Sequence, residues 1–215
     1  MAWGVEVTAV DLASVAKGAE YFAEEVVRQM PRGEPPVVMA HSTAGLVLPV
    51  VPQFMKVAGL VYLAAVIPEP GVSLLERFHA SKELFQPDWV GKDPTKDPVL
   101  AERSLFHDCE PRIQKWALTT VRLWASRTLL EERCPLKRMP EVPTLYISAT
   151  QDRAINPSWW ERAAETLLHV KPVRMDAGHC PHVSRPRDVA RLIMANYISA
   201  GPSRKRQRYQ QAIDR

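Results

Sequence analysis

Residues 37–49 read VVMAHSTAGLVLP, and this segment carries the clearest structural signal in the chain. Val37–Met39 is a short apolar run that follows two prolines, a pattern typical of a strand buried in a parallel sheet. The run ends at Ser42, and the small residues after it open a predicted helix that continues towards Pro52. The sequence therefore predicts a strand-to-helix junction with a serine at its tip.

Strands and helices alternate in both directions from this junction. Short apolar runs predict further strands over Val5–Asp11, Gly59–Ala65, Thr144–Ser148 and Pro172–Met175. Amphipathic spacing predicts helices over Ala16–Met30, Ser158–Leu168 and Arg187–Ile198. Such alternation predicts an α/β fold with a mostly parallel, doubly wound sheet, whose functional groups gather at the carboxyl ends of the strands.

Residues 71–140 depart from this alternation and are interpreted as a helical cap or lid insertion. Aromatic and charged residues mix there, prolines recur, and helical patterns cover Leu74–Phe85 and Ile113–Glu132. The chain is thus predicted to comprise a first part of the core (1–70), the cap (71–140), a second part of the core (141–200) and a basic, flexible tail (201–215).

Composition narrows the class of protein. The 215 residues are 46% hydrophobic and 24% charged, which suits a globular domain. Apolar runs fall short of the roughly 20 residues of a membrane span, and no secretory signal is visible, so a cytoplasmic location is expected. The net charge of +4 comes largely from residues 201–215, which argues against nucleic acid as a partner. The three cysteines form no C-x-x-C pair, and no metal site is predicted.

Three polar residues follow predicted strands and form a candidate catalytic set. A serine hydroxyl is a weak nucleophile until an imidazole accepts its proton, and a carboxylate must fix the tautomer of that imidazole. Ser42 is interpreted as the nucleophile and His179 as the general base. Asp152 and Asp176 are the two candidates for the orienting acid. This chemistry needs no metal or organic cofactor.

Five segments resemble parts of one known family. Ala40-His41-Ser42-Thr43-Ala44 resembles the nucleophile elbow G-x-S-x-G, with alanine, the smallest alternative, at both glycine positions. TLYISATQDRAINP (144–157) resembles the strand and loop of the acid, and VRMDAGHCPHVSRPRDVARLI (173–193) the histidine loop. Together with GLVYLAAVIPEPG (59–71) and LFHDCEP (105–111), they are similar to the esterase and hydroxynitrile lyase branch of the α/β-hydrolase superfamily. The resemblance covers most of residues 4–200.

The resemblance implies roles for individual residues. The family order of serine, acid and histidine favours Asp152 over Asp176. It also implies that the Thr43 amide donates to the oxyanion, and His41 is interpreted as a residue that lines the substrate pocket. One usual feature is missing, because the chain has no His-Gly segment, whose following loop supplies a second oxyanion donor. We therefore expect an N-terminally shortened form of the fold.

The remaining histidines and Cys180 receive plainer interpretations. His182, His107, His79 and His169 are expected to be structural or exposed. Cys180 is expected to be a small, partly buried apolar residue, although it adjoins His179.

Two classes of function remain open. The favoured hypothesis is hydrolysis of a small-molecule carboxylic ester through an acyl-enzyme. The competing hypothesis is a ligand-binding protein that keeps the fold but has little or no turnover, which the missing His-Gly segment favours. Hydroxynitrile lyase chemistry is a further alternative because it uses a similar triad. Association into a homo-oligomer is left open.

Overall fold

A computed structural model describes residues 6–12, 15–122 and 127–197. Its centre is a sheet of four parallel strands, in which neighbouring strands follow one another along the chain. The strands are β1 (Val37–Ser42), β2 (Gly59–Ala65), β3 (Thr144–Ala149) and β4 (Val173–Met175). The predicted α/β class with a parallel sheet is confirmed.

Helices surround the sheet. They are α1 (Ala19–Gln29), α2 (Leu74–Ala80), α3 (Pro98–Leu105), α4 (Pro111–Leu118), α5 (Arg127–Glu131), α6 (Pro157–Ala163), α7 (Pro181–Ser184) and α8 (Pro186–Tyr197). Within the described residues, no helix combines the length and the apolar character needed to cross a membrane.

Alternate side chains of each strand point to opposite sides of the sheet. Apolar side chains therefore lie on both faces, and each face is covered by helices. On one face, Tyr62 of β2 shares a core with Phe22 of α1 and Trp160 of α6. On the other face, Leu63 of β2 shares a second core with Val189 of α8. All residues of β2 are buried, as expected for a strand inside a doubly wound sheet.

The segment after Ser42 differs from the prediction. One helix was expected from this residue towards Pro52, whereas two short 3₁₀ helices, Thr43–Leu46 and Leu48–Gln53, occupy the segment. Pro49 and Pro52 have no amide hydrogen, so they cannot donate the hydrogen bonds that a continuous α-helix requires.

Two further predictions of secondary structure are wrong in part. The strand predicted over Val5–Asp11 has no regular structure in residues 6–11, most of which are exposed; Val5 lies outside the described residues. The helix predicted over Ile113–Glu132 is divided between α4 and α5. Its first part ends where the hydroxyls of Thr119 and Thr120 donate to carbonyls three residues earlier and compete with the helical ladder.

The described residues of the segment 71–140 include the short helices α2 to α5. Its two ends are joined, because Gly71 N–H donates to Cys134 O at 3.0 Å and Cys134 N–H donates to Val72 O at 3.2 Å. The boundaries between core and cap stay predictions, and the tail at 201–215 lies outside the described residues.

Gly45 allows the chain after Ser42 to pack closely against the end of β2. A Cβ atom at this position would lie 2.1 Å from the backbone oxygen of Val66 and 3.2 Å from Cβ of Ala65. A contact of 2.1 Å with a carbonyl oxygen requires movement of the backbone. The close approach therefore depends on a glycine that lies one residue beyond the position where the elbow motif places it.

We predict that Gly45→Ala destabilises the protein, because the added methyl group collides with Val66 O. Overpacking of this kind costs about 1–3 kcal/mol, and chemical denaturation monitored by circular dichroism measures it. An unchanged denaturation midpoint would contradict the close packing described for this turn.

A partly buried ion pair joins α6 to the sheet. The Glu161 carboxylate accepts a hydrogen bond from Ser148 Oγ at 2.7 Å and from Arg174 Nη2 at 2.6 Å. Burial alone would raise the pKa of Glu161, but the hydrogen bonds from Arg174 and Ser148 outweigh it and lower the pKa below its ordinary value. The charged form of Glu161 thus stabilises the folded state.

We predict that Glu161→Gln lowers the free energy of unfolding at neutral pH by about 1 kcal/mol. The effect is small because the Arg174 side chain is largely exposed, and solvent weakens the ion pair. Since the folded-state pKa is the lower one, this contribution is present above the unfolded-state pKa and is lost as the pH falls through the folded-state value. Chemical denaturation of wild type and Glu161→Gln at several pH values from neutral to acidic measures the difference between their free energies of unfolding. This difference should become smaller as the pH falls. Glu141→Gln, which removes the exposed pair with Arg138, is the control and should change little; a pH-independent difference for Glu161→Gln would contradict the prediction.

Candidate active site

Ser42 occupies a strained backbone position at the end of β1. Its φ is 55° and its ψ is −131°, a conformation that non-glycine residues rarely adopt. The register between β1 and β2 shifts between His41 and Ser42, and Ser42 O accepts a hydrogen bond from Val66 N–H at 3.1 Å. The strand thus ends in a sharp turn, where Ser42 is partly exposed.

The three residues of the candidate catalytic set are joined by hydrogen bonds. Ser42 Oγ lies 3.0 Å from His179 Nε2, and His179 Nδ1 lies 2.7 Å from Asp152 Oδ2. The carboxylate accepts from Nδ1–H, so Nε2 carries the lone pair that can accept the hydroxyl proton of Ser42. The side chains of His179 and Asp152 are 3% and 1% exposed, which shields their hydrogen bond from water.

The acid is held from several sides. Asp152 Oδ1 accepts hydrogen bonds from the amides of Ala154 at 2.7 Å and Ile155 at 2.9 Å, which leaves Oδ2 for His179. Its backbone oxygen accepts from Gln86 Nε2 at 3.2 Å. A residue of the predicted cap therefore helps to position the loop that follows β3.

The alternative acid, Asp176, has a different partner. Its carboxylate accepts a hydrogen bond from Gln151 Nε2 at 2.6 Å, and the residue is exposed. Asp152, rather than Asp176, is the carboxylate hydrogen-bonded to His179.

The two residues beside Ser42 differ in their surroundings. Thr43 begins the 3₁₀ helix directly after the nucleophile candidate and is partly exposed; its role as oxyanion donor stays a prediction. His41 Nε2 lies 2.7 Å from the backbone oxygen of His179, and its ring centroid lies 4.7 Å from that of His179 and 4.6 Å from that of His182. Contact of His41 with substrate also stays a prediction.

Burial lowers the pKa of two histidines beside this site. The pKa of His41 is well below its ordinary value, first because of burial and then because of the neighbouring His179 and His182. Crowding of the His182 ring by protein atoms, with a further effect of His179, lowers the pKa of His182 as well, although part of this residue is open to solvent.

Sequence reasoning assigned no role to Asp108, which supports the histidine loop. Asp108 Oδ2 accepts a hydrogen bond from Gly178 N–H at 2.7 Å, immediately before His179. A Cβ at Gly178 would lie 2.5 Å from Asp108 Oδ1 and 2.8 Å from His107 Cε1, so a glycine is needed for this approach. The segment LFHDCEP contributed to the family resemblance, but its sequence alone did not reveal this contact.

Comparison with known proteins agrees with this architecture. Polyneuridine aldehyde esterase is 20% identical with a TM-score of 0.70, over 89% of this chain and 88% of that one. A pyrethroid hydrolase from Sphingobium faniae JZ-2 is 21% identical with a TM-score of 0.62, over 86% and 79% of the two chains. The methylesterase MES16 from Arabidopsis is 15% identical with a TM-score of 0.62, over 83% and 77%. A comparison with curated proteins gives no match.

At these levels of identity, the solved structures establish a shared fold. The sequence itself matches the model of one family, described as the alpha/beta hydrolase family, over residues 2–192. The match extends through the strand that ends at Ser42, the loop of Asp152 and the loop of His179. The chain therefore belongs to the alpha/beta hydrolase family.

Proposed function

We propose that this protein hydrolyses small carboxylic esters, with Ser42 as nucleophile, His179 as general base and Asp152 as the orienting acid. The observation that carries the proposal is the continuous hydrogen-bond chain from Ser42 Oγ through His179 to Asp152, with distances of 3.0 and 2.7 Å. These two hydrogen bonds are the ones that acyl transfer by a serine requires. The names of two structural neighbours, an esterase and a methylesterase, support the same reaction class.

The proposed reaction has two halves. In the first, Ser42 Oγ attacks the ester carbonyl while its proton moves to His179 Nε2. The tetrahedral intermediate then collapses, the bond to the alcohol breaks, and His179 returns the proton to the departing oxygen. In the second half, His179 takes a proton from the water that attacks the acyl-enzyme. The bond between the acyl carbon and Ser42 Oγ then breaks, His179 returns the proton to Ser42 Oγ, and the carboxylic acid is released.

Asp152 acts through His179 in this mechanism. A carboxylate on Nδ1 keeps the imidazole in the tautomer that accepts from Ser42, and it stabilises the imidazolium formed during each half-reaction. The two amide hydrogen bonds to Oδ1 prevent the carboxylate from turning away. Both features depend on the loop that follows β3.

The proposed machinery includes an oxyanion donor. Thr43 N–H, directly after the nucleophile, is the proposed donor to the negatively charged oxygen. A donor of this kind contributes on the order of 3 kcal/mol, or about a hundredfold in rate.

A second candidate function is the binding of a small ligand without turnover. The two candidates differ in one measurable property. An ester hydrolase accumulates and releases an acyl-enzyme on Ser42, whereas a binding protein does neither. Cleavage of a cyanohydrin would likewise proceed without an acyl-enzyme.

We predict that wild-type protein hydrolyses p-nitrophenyl acetate or butyrate and that Ser42→Ala lowers kcat by up to about 10⁶-fold, because the nucleophile is lost. Release of p-nitrophenol measures the rate. Ser158→Ala changes an exposed serine at the start of α6 and should leave the rate unchanged. Equal hydrolysis by wild type and Ser42→Ala, or none by folded wild type, would contradict the proposal.

We predict that Asp152→Asn lowers kcat on the order of 10⁴-fold while the protein stays folded. The asparagine oxygen still accepts from the Ala154 and Ile155 amides, but its NH₂ group donates to His179 Nδ1 and imposes the wrong tautomer. Asp176→Asn is the matched control and should retain wild-type activity. A large loss of kcat in Asp176→Asn together with unchanged kcat in Asp152→Asn would contradict the role proposed for Asp152.

A further inference from the structure

A cluster of three side chains lies beside the proposed catalytic residues, and the proposed mechanism transfers no proton through it. The ligand atoms of His41, Cys180 and His182 all lie within 4.8 Å of one another. His41 belongs to β1, Cys180 precedes α7, and His182 lies in α7. Only the fold brings His41 to the other two, which explains why sequence spacing predicted no metal site.

A hydrogen bond fixes the tautomer of His41. Its Nε2 atom lies 2.7 Å from the backbone oxygen of His179, and a carbonyl oxygen only accepts hydrogen bonds. Nε2 therefore carries the proton, and Nδ1 is left with a lone pair. Histidines that bind metals commonly donate their other ring N–H to a backbone carbonyl or a carboxylate, and this bond orients the ring. His41 already has that support.

The chemistry of the cluster suits Zn²⁺. Two imidazole nitrogens and one thiolate form a set that zinc prefers, and three protein ligands leave a fourth position for water or another ligand. With Zn–N of about 2.0–2.1 Å and Zn–S of about 2.3 Å, the two nitrogens and one sulfur of a tetrahedral site lie about 3.3–3.6 Å apart. Side-chain shifts of about 1 Å bring the three atoms from their present spacing into this range.

The cluster is also accessible. Cys180 is 5% exposed and packs among apolar residues, whereas His182 is exposed. The ring centroids of His41 and His182 lie 4.6 Å apart. An ion arriving from solvent thus meets His182 first and reaches the more buried ligands behind it.

We propose that His41, Cys180 and His182 form a site for Zn²⁺ next to the Ser42–His179 pair. As the Zn–S bond forms, the Cys180 S–H proton leaves to solvent, and the two histidines bind as neutral imidazoles. The redox state of the metal and the thiol does not change.

Occupancy of this site should inhibit ester hydrolysis, an expectation that rests on the proposed function. His41 directly precedes Ser42, and Cys180 directly follows His179. Contraction of the cluster around an ion therefore moves the residues on either side of the reacting pair. Misplacement of reacting groups by about 1 Å costs up to about a hundredfold in rate.

The binding test uses the full chain without a histidine tag, dialysed against EDTA and then titrated with Co²⁺ as a spectroscopic substitute for Zn²⁺. The expected result is one Co²⁺ per chain, with a thiolate-to-cobalt charge-transfer band and the intense visible absorption of tetrahedral Co²⁺. Addition of Zn²⁺ should displace the cobalt and abolish both signals. Absence of the charge-transfer band in folded protein would overturn the proposal.

Two variants identify the ligands. Cys180→Ser should lose the charge-transfer band, and His182→Asn, a change at a partly open position, should lose tight binding of one Co²⁺. His169→Asn is the matched control for histidine, because residue 169 has φ of 55° and asparagine tolerates this conformation. Cys134→Ser is the control for cysteine. Unchanged cobalt spectra in both ligand variants would overturn the assignment.

Ser42→Ala separates this proposal from the proposed function. The variant should be inactive on esters and should still bind Co²⁺ with the same spectrum. If wild-type protein binds cobalt as expected but hydrolyses no ester, the metal site stands and the hydrolase proposal fails. If wild-type protein hydrolyses esters but gives no cobalt spectrum, the hydrolase proposal stands and the metal site fails.

Discussion

Parallel pairing of the four strands is the constraint on which the rest of the structure depends. Because β1 to β4 run in the same direction, their carboxyl ends lie along one edge of the sheet. Ser42 ends β1, Asp152 follows β3, and His179 follows β4. Residues 137 positions apart in the chain thereby approach within hydrogen-bond distance. The two apolar cores that cover the sheet stabilise this edge, since its geometry persists only while the strands stay paired.

Backbone strain at the end of β1 is the second requirement. Ser42 adopts a positive φ without the glycines that usually flank a nucleophile elbow. The close approach at this turn is made at Gly45, where a side chain would collide with Val66 O. A register shift between β1 and β2 and the hydrogen bond from Val66 N–H complete the turn. The strained conformation is thus maintained by packing on the neighbouring strand.

The sequence predicted those features that depend on local pattern. The apolar runs of β1 to β3 identified buried strands. The resemblance to a known family, through its order of serine, acid and histidine, indicated that Ser42, Asp152 and His179 meet. Prediction of secondary structure failed in two segments. In one, prolines interrupted a predicted helix; in the other, a predicted strand had no neighbouring strand among the described residues to pair with. Pro49 and Pro52 replaced the expected helix with 3₁₀ turns, and the alternating residues 6–11 pair with no strand in the described part of the chain. Contacts of high sequence separation, such as Asp108 to Gly178, leave no periodic trace and required the structure.

The central claim is that the Ser42 hydroxyl is activated by His179. Its most direct test is to incubate the folded wild-type protein with a fluorophosphonate, digest it and locate the adduct by mass spectrometry. Activation predicts one adduct per chain, on Ser42, and none after heat denaturation, since denaturation separates Ser42 from His179. An unmodified Ser42 in folded protein, or equal labelling of several exposed serines, would contradict the claim.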